Sequence, residues 1–362
     1  MLVHARTSAQ QRTELNMAAG SRDHPAWYGS VMGTGALALA FAGQAATWNA
    51  EWLSVIAIVL LIAASALAIL LLPRYLRRLG NRATLLTEID NPAHGPMLAT
   101  LPAGLLVLAV AWGRIGPSFM PSSVALWING VLLVFGVLIA LALGLAWSSS
   151  MMHSSRGLES VNGGWLIPPV MNLLVPLGLS PLIVANPDAA PLLVLIGFAF
   201  FGVGTFLFLA IVALLIARLA LRDPLPAAMA ASLWIPLAPA GVIGLSLIRL
   251  LQAATEAGVP GFSGFTAGLV VAAMGVGFGL WWAGFAGLEL RRMRRSGGVP
   301  IHPGWWGFVF PIGAMALSIT AIGSSCGVLA IEAFGLVSTI TLAVLWSVVA
   351  VRTGRLLFAS GD

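Results

Sequence analysis

The chain has 362 residues, of which 59% are hydrophobic and only 8% charged, a balance far from that of an ordinary soluble domain. Its 18 basic residues are all arginine and outnumber 12 acids, which in a soluble chain would suggest nucleic acid; here apolar runs of about 20 residues recur from end to end, so the excess is read as membrane topology and no nucleic-acid partner is expected. A single cysteine, Cys326, excludes an intrachain disulfide framework and has no metal-ligand spacing around it, and no cofactor motif is present.

Residues 1–24 are polar and basic and read as a short cytoplasmic tail, without the apolar core of a cleaved signal. One transmembrane domain is expected over 25–351, with ten spans at about 25–47, 52–72, 96–113, 122–146, 165–184, 191–216, 226–250, 265–288, 303–323 and 331–351. Residues 352–362 read as a cytoplasmic C-terminal tail. The splits at 116–123 and 323–327 rest on turn residues rather than on charge.

The arginines test this count. Arg6, Arg12, Arg22, Arg74, Arg77, Arg78, Arg82, Arg156, Arg218, Arg222, Arg291, Arg292, Arg294, Arg295, Arg352 and Arg355 fall on the side of the N-terminus, and Arg114 and Arg249 alone fall opposite. Positive charge is retained on the cytoplasmic side, so both termini are expected there.

Odd and even spans differ. Pro102 lies in the third, Pro168, Pro169 and Pro176 in the fifth, Pro236 and Pro239 in the seventh and Pro311 in the ninth, whereas the even spans, so bounded, have no interior proline. In the first span Gly29, Gly33 and Gly35 take the corresponding place, since glycine loosens a helix and admits close approach. The alternation predicts an all-α membrane fold of five helical hairpins. Each proline frees a carbonyl, at Leu98, Trp165, Asn172, Ser232, Ile235 and Gly307 among others, and hydrocarbon cannot satisfy it. The odd helices are therefore expected to form an inner ring and the even helices an outer one.

No acidic or basic residue lies near the middle of any span, which argues against a coupling site built from a protein carboxylate. Helix N-termini and arginine-rich loops together make the cytoplasmic mouth attractive to small anions. Thr34, Thr100, Asn172, Ser232 and Ser318 place one polar group on each odd helix and are candidates to line a pore; for the Ser and Thr members, bonding to a carbonyl of their own helix is the alternative. His24, His94, His153 and His302 precede odd spans and suggest a protonatable vestibule, with solvated interfacial histidines as the plain alternative. Arg249 either attracts anions to the exit or snorkels to headgroups. Trp27, Trp52, Trp165 and Trp305 suit an aromatic belt. Glu88 with Asp90 is the nearest approach to an enzymatic carboxylate pair and lacks the spacing for a metal diphosphate, so no enzyme is expected.

The stretches "HPAWYGSVMGTGALALAF" (24–41), "NPAHGPMLATLPAGL" (91–105), "WLIPPV" (165–170), "LWIPLAPAG" (233–241) and "WWGFVFP" (305–311) resemble the tellurite-resistance/C4-dicarboxylate transporter family. That family includes bacterial TehA-type proteins, fungal malate and sulfite transporters and plant guard-cell slow anion channels. The resemblance implies a quasi-fivefold pore, a homotrimer with one pore per subunit in a bacterial-type inner membrane, and a phenylalanine on the ninth helix that occludes the pore; the "WWxxxFP" pattern puts it at Phe310. Gly33, Gly35, Pro102, Pro169, Pro176, Pro236, Pro239 and Pro311 are then pore hinges. The long regulatory N-terminal tail of the plant channels is missing from this sequence. The expected function is an anion channel or uniporter for an anion such as chloride, nitrate, sulfite, malate or tellurite, with a proton-coupled secondary transporter of C4-dicarboxylates, sulfite or tellurite as the alternative.

Overall fold

A computed structural model describes residues 24–153 and 157–358, and the regular structure among them is entirely helical. Arg6, Arg12, Arg22 and Arg156 lie outside the described residues. Ten long helices follow one another: α1 (Gly29–Trp48), α2 (Glu51–Gly80), α3 (Thr100–Ile115), α4 (Ser122–His153), α5 (Ile167–Ala185), α6 (Ala190–Leu221), α7 (Leu237–Glu256), α8 (Thr266–Arg295), α9 (Trp306–Cys326) and α10 (Leu329–Phe358). Among the described residues nine helical stretches are long and apolar enough to cross a membrane. α1 is not among them because Gln44, Thr34 and several glycines dilute it. Gln44 is fully buried and donates to Thr320 Oγ1 at 2.9 Å and Thr339 Oγ1 at 3.2 Å, so its amide is met by protein rather than lipid.

Each odd helix packs most extensively on the even helix that follows it. The odd helices also close on one another in the order α1, α3, α5, α7, α9 and back to α1. Burial follows the same division. The apolar windows of α3, α5, α7 and α9 are 78–89% buried, and those of the even helices 22–28%. The exposed large apolar side chains, such as Val59, Leu138, Phe206, Met274 and Ile340, stand on the even helices. An apolar residue is stable outside only where the surroundings are apolar too, so the outer ring presents a lipid-compatible surface.

Small residues set the spacing of the rings. A Cβ on Gly33 would lie 2.9 Å from Val309 Cγ1, and one on Gly35 would lie 2.7 Å from Val107 Cγ1. α1 runs unbroken through both, so these glycines seat the first helix against its two ring neighbours and do not hinge it. Gly327 ends α9 in the left-handed region at φ 63°, its N–H returning to the Gly323 carbonyl, which permits the tight turn into α10.

The prolines act differently from expectation. Pro102, Pro169 and Pro239 each sit in the first turn of a helix and Pro236 is the N-cap of α7; only Pro176, Pro181 and Pro311 lie inside odd helices. A first-turn proline loses no helical hydrogen bond, so these residues start helices rather than bend them. The interruption lies just upstream. Pro25–Tyr28, Gly95–Leu98, Gly163–Leu166, Ala227–Trp234 and Pro303–Trp305 are short, mostly 3-10 segments preceding the five odd helices, and they too contact one another in a closed ring. We call this the proximal end. The carbonyls of Ser232 and Ile235 are taken by Ile235 N–H at 3.2 Å and Ala238 N–H at 2.8 Å. Nor are the even helices free of proline, because α2 continues past its apolar run, through Pro73 and the arginines, to Gly80. A further helix at Arg82–Ile89 follows, held by an Arg78 to Glu88 ion pair of 2.8 Å. α10 likewise extends through residues expected to form a tail.

Three of the expected histidines meet at the proximal end. The rings of His24 and His94 lie 5.2 Å apart and those of His24 and His302 6.2 Å apart, whereas His153 stays on α4, bonded to the Ser149 carbonyl. His24 Nδ1 accepts from Ala26 N–H at 3.1 Å, and His302 Nδ1 accepts from Gly304 N–H at 3.1 Å. His302 Nε2 then carries the proton and donates to the Ala228 carbonyl at 2.8 Å. These are caps that need the neutral ring, not open titrating sites. Burial lowers the pKa of all three; His24, which also faces His94, His302 and Arg78, falls from 6.5 to about 3.

Two outcomes follow. A group held neutral in the fold stabilises fully above its ordinary pKa of 6.5, and that stability is lost as pH falls toward about 3, because the unfolded chain then binds a proton the fold refuses. The thermal midpoint in detergent is expected to drop on acidification from neutral pH, and His24→Asn, which keeps a capping acceptor without titrating, to shallow that drop. A Cβ on Gly244 would run into the Ala272 backbone where α7 crosses α8, so Gly244→Ala is expected to cost about 1–3 kcal/mol and lower the midpoint at neutral pH.

Candidate functional site

The inner ring encloses two cavities on one axis, each walled by all five odd spans. The proximal cavity is narrow, about 70 Å³, and largely apolar, with Met32, Met97, Ile167, Val170 and Ile235 on its wall. The distal cavity is wider, about 550 Å³, and more polar, with Thr47, Ser180, Gln252 and Ser324 among its lining residues. Among the described residues Phe310 alone lines both. Its side chain is 6% exposed.

The local sequence accounts for that position. Pro303 starts a 3-10 turn capped by His302, the chain enters α9 at Trp306, and Phe310 projects from the second turn of the helix. Pro311 has no N–H to return to the Gly307 carbonyl, and Gly307 and Pro311 both line the proximal cavity. On the neighbouring wall Phe308 packs edge-on against Trp234 and Trp305, at centroid distances of 6.0 and 5.9 Å, fixing the start of α9 against the α7 entry segment.

The expected polar lining is only partly assembled. Thr100 and Ser232 line the proximal cavity, with hydroxyls 2.7 Å from the Met97 carbonyl and 2.8 Å from the Met229 carbonyl. Thr34 lines neither cavity; it donates to the Ser30 carbonyl at 2.7 Å and accepts from Trp346 Nε1 at 2.9 Å. Asn172 also stands outside both, its amide donating to the Pro168 carbonyl at 2.9 Å. Ser318 is fully buried between helices. Of the expected hinges, only Pro311 lines a cavity.

What sequence reasoning missed is the convergence of Arg114 and Arg249 on the distal cavity, from α3 and α7. The signal was present: these are the two arginines that break the charge asymmetry of the loops. Their placement on one lumen depends on ring closure, which no local pattern encodes.

The two cavities meet at Phe310 along the inside of the inner ring. Comparison with known proteins agrees with a transport role. Residues 23–354 match the model of the family described as "Voltage-dependent anion channel" (SLAC1). An uncharacterized transporter of Methanocaldococcus jannaschii is 30% identical over 300 residues, 81% of this chain and 82% of that protein. The sulfite efflux pump SSU1 of Arthroderma otae is 26% identical over 352 residues, 91% of this chain and 89% of the pump. With the family model spanning nearly the whole chain, this protein belongs to the SLAC1 voltage-dependent anion channel family.

Proposed function

We propose that the chain is a passive conduit for small anions, closed in this conformation by Phe310. The observation that carries this is the position of one benzyl group as the wall common to two cavities that five helices otherwise enclose. A ring there stops hydrated ions by bulk and by dewetting, as hydrophobic constrictions do. The polarity of the path supports anions: the five odd helices direct their N-terminal ends to the proximal mouth, and arginine is the only basic residue on the distal wall. Among the described residues that line the proximal cavity with Phe310 there is no carboxylate, which supports a conduit over a carboxylate-coupled pump.

Under this proposal the proximal end faces the cytoplasm, since Arg74, Arg77, Arg78, Arg82, Arg218, Arg222 and the 291–295 cluster all lie near that end. The outer helices face the lipid of a plasma membrane and, in a homotrimer, the neighbouring subunits. The name of the fungal relatives, sulfite efflux pump, favours sulfite among the substrates and keeps a proton-linked transporter as the second reading. Flux in liposomes separates the two: a conduit follows imposed voltage in the absence of a pH gradient, and a coupled transporter requires the gradient.

Phe310→Ala is expected to raise chloride flux into liposomes by about tenfold or more at unchanged monodispersity. Equal flux in wild type and variant removes Phe310 as the gate.

A further inference from the structure

The distal cavity contains two guanidinium groups and very little to neutralise them. Arg249 Nη1 donates to Gln252 Oε1 at 3.0 Å, which leaves most of its fork of donors directed elsewhere. Among the described residues the ion pairs are Arg78 with Glu88, Arg222 with Glu159 and Arg292 with Glu289, and neither Arg114 nor Arg249 takes part. The two stand on helices from opposite halves of the chain and line the same cavity. Glu256 is the carboxylate on the same wall, and it is exposed, two turns beyond Arg249. Snorkelling to headgroups does not describe Arg249, which is partly buried and lines the lumen rather than the outer ring.

Like charges that share one cavity without a partner repel until an anion lies between them. A chloride ion offers one charge and no directional acceptors. An oxyanion offers several oxygens, which match the planar fork of a guanidinium two at a time. We infer that the distal cavity is a selective binding site for a divalent oxyanion, held between Arg249 and Arg114 with Gln252 orienting the Arg249 fork. The available space, about 550 Å³, accommodates such an ion with part of its water. Ser180 and Ser324, on α5 and α9, line the same cavity but donate their hydroxyls to the Pro176 and Ala321 carbonyls at 2.8 and 3.3 Å, so the guanidinium groups carry the site. The inference deepens the anion-conduit proposal and rests on it for its physiological meaning, but binding is measurable without flux.

The test uses the full chain purified in detergent, titrated calorimetrically with sodium sulfite in alkaline buffer, where the ion is a dianion, and with sodium chloride as the monovalent comparison. One sulfite per chain is expected to bind, more tightly than chloride. Arg249→Gln is expected to weaken sulfite by about tenfold and Arg249→Lys, which keeps charge but loses the fork, by less. In liposomes the sulfite-to-chloride permeability ratio is expected to fall in Arg114→Gln and Arg249→Gln. Equal sulfite affinity in wild type and Arg249→Gln, or no preference of the wild type for sulfite over chloride, overturns the site. Should Arg249→Gln not fold, Arg114→Gln and Arg249→Lys decide by the same readouts. Sulfite binding that is sensitive to Arg249 in a wild type that passes no anion would support the site and overturn the conduit; voltage-driven flux with unaltered selectivity in the variants would do the reverse.

Discussion

A helix interrupted in an apolar layer leaves backbone groups that hydrocarbon cannot satisfy, and the arrangement of this molecule follows from how protein covers them. Each odd helix is preceded by a break, and the breaks are closed by side chains brought from elsewhere. Trp282 Nε1 reaches from α8 to the Leu233 carbonyl at 2.7 Å, and Trp165 Nε1 and Asn162 Nδ2 both reach the Pro92 carbonyl at 3.0 Å. His302 reaches Ala228, and Thr100 lies 2.9 Å from the Pro25 carbonyl. These contacts tie each proximal segment to a neighbour, so the ring of segments is fastened by the hydrogen bonds that the breaks demand. Deeper in the bundle Asn129 of α4 donates to the carbonyls of Ala109 and Gly178, joining an outer helix to two inner ones.

That constraint explains why the division into inner and outer helices was legible in the sequence. Regular helices satisfy their own backbone and survive facing lipid, so Ser122–His153 and Ala190–Leu221 run as 32-residue apolar rods. Interrupted helices need protein on every side, and their glycines and prolines announce it. Phe310 stands out in the sequence for a different reason, the resemblance of the residues around Pro311 to a family pattern, and its closing of the path is part of the proposed function. The exact use of each proline was not legible, because a proline that bends a helix and one that starts it look alike until the first turn is located. Pro73 lies where hydropathy ends and helix does not, since arginines prolong a helix as well as leucines do. The short helix Arg82–Ile89 has no apolar run to announce it.

Side-chain roles were the least legible. Thr34 and Asn172 look like lumen hydroxyl and amide from their spacing, but their carbonyl partners lie one turn back on their own helix, at Ser30 and Pro168, and that local bond satisfies them before any solute does. His24, His94 and His302 are separated by up to 278 positions and meet only because the first, third and ninth spans adjoin in the ring. Their clustering makes His24 and His302 caps and buries His94 beside them, with the pKa of all three lowered by burial. Arg114 and Arg249 obey the same rule at the distal end, where convergence turns two stray charges into one electrostatic feature.

The asymmetry between the two cavities bears on how an anion would cross. On the proximal side the wall near Phe310 is hydrophobic and the histidines are held neutral, so an entering ion meets little fixed charge and must shed water at a narrow apolar neck. On the distal side it meets two guanidinium groups in a space large enough to rehydrate it. An inside-negative potential drives a monovalent anion outward with roughly 2.3 kcal/mol per 100 mV across the full membrane, and twice that for a dianion. Conduction also requires that the exit well be shallow enough to leave. Exposure of Arg114 and the nearby Glu256 limits that depth through solvent screening and a local negative charge, while the partly buried Arg249 provides the attraction. Under the proposed function, an apolar neck at Phe310 and a pair of cations beyond it would divide two tasks, stopping ions and choosing among them, between different residues.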